Sequence, residues 1–472
     1  MNRFFSLPAI LSPKMLNSLA LLSLFALEVS AFWRLPCRQS LTVERIDPLT
    51  SFGLAGEHVH TIHGGNKFSQ SSLEEDLLKS TCSSCQVKQD RSAYWTPVLY
   101  FQDEAGNFNI VNQTGGMLVY YLPRGENVKA FPDGFRIIAG DPTLRNFPYK
   151  DVEKSLWTAQ DMTEDALRQK AIGFNCLNYH LPAQAALGMK TIPENLSCRD
   201  GLRAEVFFPS CWNGKDLDSP DHRDHMRYPS LMDDGDCPKG FGTRLVSLFF
   251  ETIWDVDKFG GQKGRFVFST GDPTGSGYHG DFMNAWDRKV LQEAIDVCTS
   301  PSGVIDECKV FDLYTEGEMQ QCTIKRTIKE DVFGPLKKLP GCNPVTKGPE
   351  SATKDGCPGE GPKNGNQIPY PSKPKDTEGG GPPELPSISP SSPPAKTSKA
   401  PVSPAPQDNP KKHDVGIAAT TSDPYLVIVT VTETVTPFAT TVTVPGQGTP
   451  TPKQMKRGLH NHRRFGGGHH KH

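Results

Sequence analysis

The sequence predicts a mainly β fold: a disulfide-braced, jelly-roll-like β-sandwich with long loops and few helices. Short segments rich in Val, Ile, Tyr and Phe recur along the first two thirds of the chain, each bounded by Gly, Pro, Asn or Asp. Few of them alternate with long helical patterns, so a doubly wound parallel sheet is not expected. The candidate strands are Tyr94–Gln102, Met117–Leu122, Phe135–Ala139, Leu202–Phe208, Leu245–Trp254 and Arg265–Ser269.

Two helices are predicted between these strands. The longer one is Asp287–Cys298, where the apolar residues at 290, 291, 294, 295 and 298 share one face. A short helix follows Ser71 and Ser72, which together with Glu74 and Glu75 resemble a capping box.

Length, charge and the N-terminal segment indicate an exported protein. The chain has 472 residues, enough for one large domain or two ordinary ones, and its formal net charge of -2 gives no reason to expect a nucleic-acid partner. Residues 1–31 resemble a secretory signal that ends at the small residues Val29-Ser30-Ala31. No later stretch approaches the roughly 20 apolar residues of a membrane span. We therefore expect a secreted, extracellular or cell-wall-associated monomer with no transmembrane segment after signal removal.

Twelve cysteines follow the expected cleavage point. An even number in an oxidising compartment predicts up to six disulfides, whose connectivity does not follow from spacing. Cys82–Cys85 is the only CxxC motif, and in an exported chain we interpret both cysteines as disulfide partners rather than as a redox or zinc motif. Asn112–Thr114 and Asn195–Ser197 are acceptor sequences for N-glycosylation, which agrees with export.

Composition divides the mature chain into four parts. Residues 32–340 carry the predicted strands and form the expected secreted domain. Residues 341–422 are dominated by Pro, Gly, Ser and Lys, which is typical of an extended, disordered linker. Residues 423–455 contain a Thr/Val alternation that we interpret as a stalk rather than an isolated hairpin. Residues 456–472 are a basic tail with five histidines, which predicts adventitious metal binding or a trimmed, disordered end.

One motif of the expected domain concentrates its histidines: His58-Val59-His60-Thr61-Ile62-His63-Gly64-Gly65-Asn66. His58 and His60 stand two apart, so on a β-strand they project from the same face. His63 follows as the chain enters the Gly-Gly turn. Three roles are open for these imidazoles: metal binding, proton transfer and structural hydrogen bonding.

A second pair of histidines stands three residues apart, in His222-Arg223-Asp224-His225. This gap suits a chelate on one helical turn or in a loop. Joined to His58 or His60, His222 and His225 would give a site for a divalent metal ion, the cofactor that this interpretation implies. Such an ion lowers the pKa of a bound water and directs it at a substrate. The alternative is a set of non-metal roles, some of them catalytic.

Aspartates beside histidines supply candidate acid/base pairs. Asp221 precedes His222, and Asp281 follows His279 by two residues. A carboxylate at that spacing can orient or tune an imidazole. We therefore predict His60 or His279 as the acid/base group, with Asp221 or Asp281 as its partner.

Trp95, Trp212 and Asp272 are the candidate substrate contacts, because aromatic faces bind sugar rings through apolar contact. The structural alternative is that Asp residues in Asp-Pro and Gly-Asp turns cap backbone N–H groups, and that the tryptophans belong to the core. The glycine-rich segment Gly271–Gly277 lacks the ending of a nucleotide-binding loop, so phosphate binding is not expected there.

Nine motifs carry a family resemblance. They are His58–Asn66, Cys82–Cys85 followed by Tyr94–Pro97, Gly116–Tyr121, Phe131–Arg136, Gly140–Pro142, Phe208–Gly214, Asp218–His222, Ser269–Gly275 and Tyr278–Phe282. Together they resemble a fungal secreted family known as a domain of unknown function, sometimes joined to wall-associated WSC modules. The resemblance spans about residues 32–300 and excludes the linker and tail. It implies a secreted domain and little about mechanism.

The resulting functional hypothesis is a secreted carbohydrate-active enzyme, a hydrolase or lyase that acts on cell-wall or extracellular polysaccharide. It is motivated by His, Asp and Trp clustered in the motifs of an exported β domain. The alternatives are a non-catalytic wall-binding or structural module and a secreted metal-binding protein. A cleft that holds His58, His60, His222 and His279 would favour a common site.

Overall fold

The computed structural model describes residues 32–194 and 196–353. The expected signal, Asn195, the linker from residue 354 onward, the stalk and the tail lie outside the described residues. The strands are Trp33–Cys37 (β1), Thr42–Glu44 (β2), His60–Gly64 (β3), Ala93–Pro97 (β4), Leu99–Asp103 (β5), Phe108–Ile110 (β6), Gln113–Leu122 (β7), Arg136–Gly140 (β8), Ile172–Cys176 (β9), Leu202–Phe207 (β10), Cys211–Trp212 (β11), Met226–Arg227 (β12), Thr243–Arg244 (β13), Ser247–Trp254 (β14), Gly264–Phe268 (β15) and His279–Met283 (β16). The α-helices are Glu74–Leu77 (α1), Glu164–Lys170 (α2), Arg288–Val297 (α3) and Glu316–Gln321 (α4), and short 3₁₀ helices lie at Lys154–Leu156, Asp257–Phe259 and Ile305–Glu307.

Two five-stranded antiparallel sheets make up the body of the domain. The first has the strand order β1-β7-β14-β10-β9 and the second β2-β3-β4-β16-β8. The two sheets pack face to face: the ring of Tyr94 in β4 lies 5.8 Å from that of Phe250 in β14. The Tyr94 hydroxyl also lies 2.6 Å from the Tyr121 hydroxyl of β7. Two smaller sheets, β12-β11-β13 and β15-β5-β6, complete the fold. The predicted mainly β fold is confirmed.

The central strand β14 carries apolar side chains at five of its eight positions, on both of its faces. Phe250 points into the core between the two sheets. Its neighbour Phe249 points to the outer face, where its ring stacks 4.1 Å from that of Phe207 in β10. That outer face is covered by Leu167 and Ala171, in and just after α2. A strand buried on both faces shows a continuous apolar run in place of strict alternation.

Several predicted elements differ in their boundaries from those observed. The predicted strand Tyr94–Gln102 is divided at Val98 into β4 and β5, which belong to different sheets. The predicted helix at Asp287 is present as α3, and the Asp287 side chain accepts hydrogen bonds from the Lys289 and Val290 amides. The predicted short helix is present as α1, but its N-cap is Leu73, and the Asp76 carboxylate accepts the Leu73 N–H at 3.1 Å.

Five disulfides brace the described part of the chain. They are Cys37–Cys85, Cys82–Cys322, Cys176–Cys198, Cys211–Cys237 and Cys298–Cys308. The two cysteines of the CxxC motif therefore belong to different disulfides, which confirms their role as disulfide partners. Cys342 is disulfide-bonded as well.

The first residues of the expected linker contact the domain. The Asn343 amide donates to the Glu57 carbonyl at 2.9 Å, and the Thr346 N–H donates to the Gly271 carbonyl at 3.1 Å. The Ala352 N–H donates to the Thr143 carbonyl at 2.7 Å. We call residues 341–352 the C-terminal strap. Among the residues described, none of the helices has the length and apolar character needed to cross a membrane.

Candidate metal centre

Three neighbouring strands of the second sheet position the candidate residues. His60 begins β3 and His279 begins β16, with β4 between them. His60 pairs with Pro97 and Asp281 pairs with Trp95, so the register places His279 level with Pro97 as well. Residues that pair directly project to the same face of a sheet. His60 and His279 therefore flank the proline on one face, and Asp281 follows two residues later on that face.

A third imidazole completes the group. His58 lies in the bend before β3, with its ring centroid 4.2 Å from that of His60 and 5.0 Å from that of His279. His58 Nε2 is 3.0 Å from His279 Nε2. Asp281 Oδ2 lies 3.8 Å from His279 Nε2 and 4.0 Å from His60 Nε2. We call His58, His60, His279 and Asp281 the histidine centre.

The histidine centre is closed to solvent, since none of its four members is more than 6% exposed. Two of its imidazoles are held in a defined tautomer by main-chain carbonyls. His60 Nδ1 lies 3.2 Å from the Ile46 carbonyl and His279 Nδ1 lies 3.0 Å from the Gly277 carbonyl. A carbonyl oxygen can only accept, so each Nδ1 carries the hydrogen and each Nε2 presents a lone pair to the centre.

Two of the side-chain atoms that converge in the histidine centre lack a hydrogen-bond donor. Within the described residues, neither His60 Nε2 nor Asp281 Oδ2 has a hydrogen-bond partner, and both atoms are buried. Buried polar groups in folded proteins are nearly always paired, so each exception needs an explanation. His58 can donate to His279 Nε2 across their 3.0 Å contact. His60 Nε2 and Asp281 Oδ2 remain 4.0 Å apart, with no hydrogen bond between them.

Burial keeps the imidazoles in the form that binds metals. It lowers the pKa of His60 to about 3, although the Ile46 carbonyl opposes the shift. Burial and the neighbouring His60 lower the pKa of His279 to about 3. Burial, with the Asp47 charge, raises the pKa of Asp281 well above its ordinary value, and Arg223 offsets part of this effect. Both histidines are therefore neutral at physiological pH, which is the form of imidazole that binds metal ions.

The spacing suits a transition-metal ion. One ligand atom from each histidine lies within 4.8 Å of the others, and in the part of the chain that is described this is the one group of three or more His, Cys, Asp or Glu residues with such spacing. Zn–N bonds of about 2.0–2.1 Å place tetrahedral ligand atoms about 3.3 Å apart. The 3.0 Å contact between His58 and His279 is close to that value.

A family model described as "Domain of unknown function (DUF1996)" matches residues 47–286, which is more than half of the chain. The chain belongs to the DUF1996 family. Comparison with curated proteins and with solved structures gives no match. The histidine centre lies wholly inside the DUF1996 domain.

The second histidine pair of the DUF1996 domain lies outside the histidine centre. The segment around His222 is a loop and not a helical turn, and His222 itself has a positive φ of 58°. His222 Nδ1 contacts the Asp218 carboxylate at 2.8 Å. His225 uses both ring nitrogens, toward the Ser219 hydroxyl at 3.0 Å and the Arg136 carbonyl at 2.9 Å. The expected grouping of His222 and His225 with His58 and His60 is thus not the arrangement observed.

The two remaining aspartates cap turns. Asp221 Oδ1 accepts hydrogen bonds from the Ser219 hydroxyl and from the Arg223 and Asp224 amides. Burial raises the pKa of Asp221, but these bonds outweigh it and leave the pKa below its ordinary value. Asp272 is fully buried and accepts the Gly277 N–H at 2.7 Å.

The aromatic candidates differ in exposure. Trp95 is fully buried, with its ring 4.9 Å from that of Phe68, so its faces are occupied by the core. Trp212 is partly exposed in β11, and its Nε1 donates to the Asp216 carbonyl at 2.7 Å. His63 faces the opposite side of β3 from His60 and contacts the Gln39 carbonyl with Nδ1.

Sequence reasoning missed the groups around the histidine centre. The carbonyls of Ile46 and Gly277 orient its imidazoles, and Asp47 and Arg223 supply charge beside it. Every residue has a main-chain carbonyl, so the residue types in the sequence do not indicate which carbonyls orient the imidazoles. The sequence offered one signal, the glycine-rich segment Asp272–Gly277 that ends two residues before His279. In the structure Gly277 is tightly packed, since a Cβ there would lie 2.8 Å from the Arg145 guanidinium.

Proposed function

We propose that the DUF1996 domain binds one divalent transition-metal ion at the histidine centre. The observation that supports this most directly is the buried convergence of His60 Nε2, His279 Nε2 and Asp281 Oδ2, with too few hydrogen-bond donors between them. Imidazole ligands suit Zn²⁺, Cu²⁺, Ni²⁺ or Fe²⁺. Hydrogen bonds from the distal ring nitrogens to carbonyls are the usual support of metal-binding histidines.

Three histidine ligands leave a fourth position, and its occupant decides the chemistry. If Asp281 takes that position, the site is closed and the ion stabilises the fold. If a water took it, an ion held by the three histidines would lower the pKa of that water, and Asp281 would be the neighbouring group able to accept its proton. The near-complete burial of all four side chains restricts any substrate to a small molecule.

The metal content of the full chain tests this proposal, provided that the histidines of the C-terminal tail are replaced so that they bind no metal. The tail-substituted chain carries five replacements: His460→Ala, His462→Ala, His469→Ala, His470→Ala and His472→Ala. After incubation with Zn²⁺ or Cu²⁺ and gel filtration, elemental analysis is expected to find about one equivalent of metal. His60→Gln and His279→Gln should each remove it, because each deletes one of three nitrogen ligands.

His222→Gln is the matched control, because His222 lies in the same domain but outside the histidine centre. It should keep the full equivalent, and circular dichroism should show that every variant is folded. Absence of metal in the tail-substituted chain, or equal metal in the folded His60→Gln and His279→Gln variants, would contradict the proposal.

A second candidate is the binding or cleavage of extracellular polysaccharide, favoured by the partly exposed ring of Trp212. Sedimentation with insoluble chitin, cellulose or β-glucan should be weakened by Trp212→Ala and unaffected by Trp157→Ala, another partly exposed tryptophan. Release of reducing ends from a bound polymer would show cleavage in addition to binding. No sedimentation with any polymer would remove this candidate.

We also propose that the protein is secreted and extracellular or wall-associated. Five disulfides support this, because disulfides persist in oxidising compartments. Asn112, the acceptor of the first glycosylation sequence, is exposed. A shift in mass on treatment of the secreted protein with a glycosidase for N-glycans, absent in Asn112→Gln, would test its modification.

A further inference from the structure

A cavity of about 530 Å³ lies beside α1, and three lysines line it. Lys67 belongs to the loop after β3, Lys79 follows the end of α1, and Lys325 belongs to the segment after α4. All three residues are exposed. The Cys82–Cys322 disulfide holds two of these segments together, because Cys82 closely follows Lys79 and Cys322 closely precedes Lys325. We call this space the lysine cavity.

Hydrogen bonds fix the walls of the lysine cavity. The Lys67 N–H donates to the Ser80 hydroxyl at 3.1 Å, and the Lys67 carbonyl accepts the Ser72 hydroxyl at 2.9 Å. In the segment after α4, the Thr327 N–H donates to the Glu44 carboxylate at 2.7 Å. The walls are therefore ordered before a ligand arrives, which reduces the conformational entropy that binding costs.

The lining of the lysine cavity is positively charged. Asp76 is the one acidic residue among the described residues that line it, and its Oδ1 lies 3.1 Å from Lys79 Nζ. Lys67 and Lys325 have no ion-pair partner in the part of the chain that is described. Two lysine charges are therefore left for a ligand.

The other carboxylates near the lysine cavity do not belong to its lining. Glu44 and Asp47 are buried and accept hydrogen bonds from main-chain amides. Glu74 faces the loop before β8, since a Cβ on Gly134 would lie 3.7 Å from Glu74 Oε2. Glu75 is exposed on α1, where water and salt screen its charge.

The rest of the lining is apolar or carries hydroxyl groups. Ile46 and Phe68 are buried, Ile324 is partly buried, and Ser69 and Ser71 add hydroxyls. The volume falls in the range of about 300–1,000 Å³ that is usual for sites of small organic ligands, and it exceeds what a bare inorganic anion fills. The ligand therefore combines an anionic group with a larger uncharged part.

We propose that the lysine cavity binds the phosphate monoester of a small sugar. A phosphate monoester carries a charge of about −1.5 to −2 at pH 7, which matches the two lysines without an ion pair. Lysine binds phosphate as a point charge, so no fixed fork geometry is needed. The sugar supplies C–H faces for the apolar lining and hydroxyls for Ser69 and Ser71. This site is separate from the proposed metal centre, because no member of the histidine centre lines it.

Isothermal titration calorimetry with glucose 6-phosphate tests the proposal on the tail-substituted full chain, after EDTA treatment and gel filtration to remove metal. We expect one site, with a Kd that rises at least fivefold in Lys67→Gln and in Lys325→Gln and further in the double variant. Glucose should not bind, because it lacks the phosphate. Inorganic phosphate should bind at least tenfold more weakly than glucose 6-phosphate, because it lacks the sugar.

Lys329→Gln is the matched control, because it removes the same charge from the segment after α4 at an exposed residue outside the lining. It should leave the Kd unchanged, and circular dichroism should show that every variant is folded. Absence of glucose 6-phosphate binding, or an equal Kd in the parent and the folded double variant, would overturn the inference. So would an equal effect of Lys329→Gln, which indicates general charge attraction, or inorganic phosphate that binds as tightly as the sugar phosphate. Each of these results leaves the metal centre to be decided by elemental analysis alone.

Discussion

Asp272 and Asp141 occupy the same tetrapeptide, Gly-Asp-Pro-Thr, at two places in the chain. Each carboxylate accepts hydrogen bonds from the amide and the hydroxyl of the threonine two residues later. Asp272 differs from Asp141 because it also accepts the Gly277 N–H at 2.7 Å. The Gly277 carbonyl accepts in turn from His279 Nδ1. At the residue scale, Asp272 is therefore a positioning residue for the histidine centre.

Asp272→Asn should weaken metal binding by about 10- to 100-fold, the usual effect of losing a group that orients a metal ligand. If the amide nitrogen faces Gly277, the acceptor for that N–H is lost and the carbonyl behind His279 is free to move. Competition with a chromophoric chelator measures the affinity. Asp141→Asn makes the same substitution at the other tetrapeptide, where the carboxylate is bonded to Thr143, and should leave the affinity unchanged. Equal effects of the two variants would contradict the positioning role.

Asp90 is a second residue whose burial has a measurable consequence. It is 1% exposed and accepts hydrogen bonds from the Tyr94 hydroxyl and the Ser92 amide. Burial raises its pKa to about 6, and those hydrogen bonds limit the rise. A raised pKa means that the native state binds the proton more tightly than the unfolded chain does. The associated stability is present below pH 4 and is lost as the pH rises through 6.

Between pH 4 and pH 7 the wild type should lose on the order of 3 kcal/mol of unfolding free energy relative to Asp90→Asn, since one pKa unit corresponds to about 1.4 kcal/mol. The asparagine is uncharged throughout and keeps an oxygen for the Tyr94 hydroxyl. Urea unfolding of both proteins with disulfides intact, at several pH values, gives the difference. A difference that does not change with pH would contradict the prediction.

At the scale of elements, the C-terminal strap connects the two loops that lead into the histidine centre. Asn343 bonds to the carbonyl of Glu57, the residue before His58. Thr346 bonds through its amide to the Gly271 carbonyl and through its hydroxyl to Arg145. The strap lies outside residues 47–286, so the matched domain alone does not contain these contacts.

Asn343→Ala should speed the release of bound metal to excess chelator by about 3- to 10-fold, because its hydrogen bond to the Glu57 carbonyl contributes about 1 kcal/mol to holding the loop before His58. Stopped-flow mixing with the chelator measures the rate. Lys347→Ala removes an exposed ion pair with Glu194 from the same strap and should not alter it. Equal rates for wild type and Asn343→Ala would show that the strap does not restrain the centre.

At the scale of the whole molecule, the disulfides differ in the length of chain they close. Cys82–Cys322 joins residues 240 apart in sequence and ties the region after α4 to that after α1. Cys298–Cys308 joins residues 10 apart, in and after the C-terminal end of α3. In the chain-entropy model the longer loop restricts the unfolded state far more.

The pair Cys82→Ala and Cys322→Ala should therefore lower the unfolding free energy by about 5 kcal/mol, and the pair Cys298→Ala and Cys308→Ala by about 3 kcal/mol. Chemical unfolding of each double variant beside the wild type measures both losses. Equal losses, or a larger loss for the shorter loop, would show that native-state contacts around the cysteines dominate over unfolded-state entropy.

Local patterns accounted for much of the fold. The alternation of β-branched and aromatic residues predicted strands close to β7, β8, β10, β14 and β15, and the helical spacing after Asp287 predicted α3. The predicted alternation does not hold at His58, which lies in the bend before β3, although its ring is 4.2 Å from that of His60. It did not predict β16, because His279–Met283 contains a glycine and an aspartate at positions where a buried strand usually has apolar residues.

The sequence by itself determined the β class, the disulfide-rich character and the closeness of His58 to His60, because each follows from composition or from residues two to four apart. The tertiary structure decided which of the other histidines joins that pair. His279 lies 221 residues after His58, and the two meet through the antiparallel register of β3, β4 and β16. His222 and His225 equally resembled ligands in the sequence, but their loop lies along β8, where it bonds to Arg136 and Gly140. Register between distant strands is a property of the packed sheets, and no local pattern contains it.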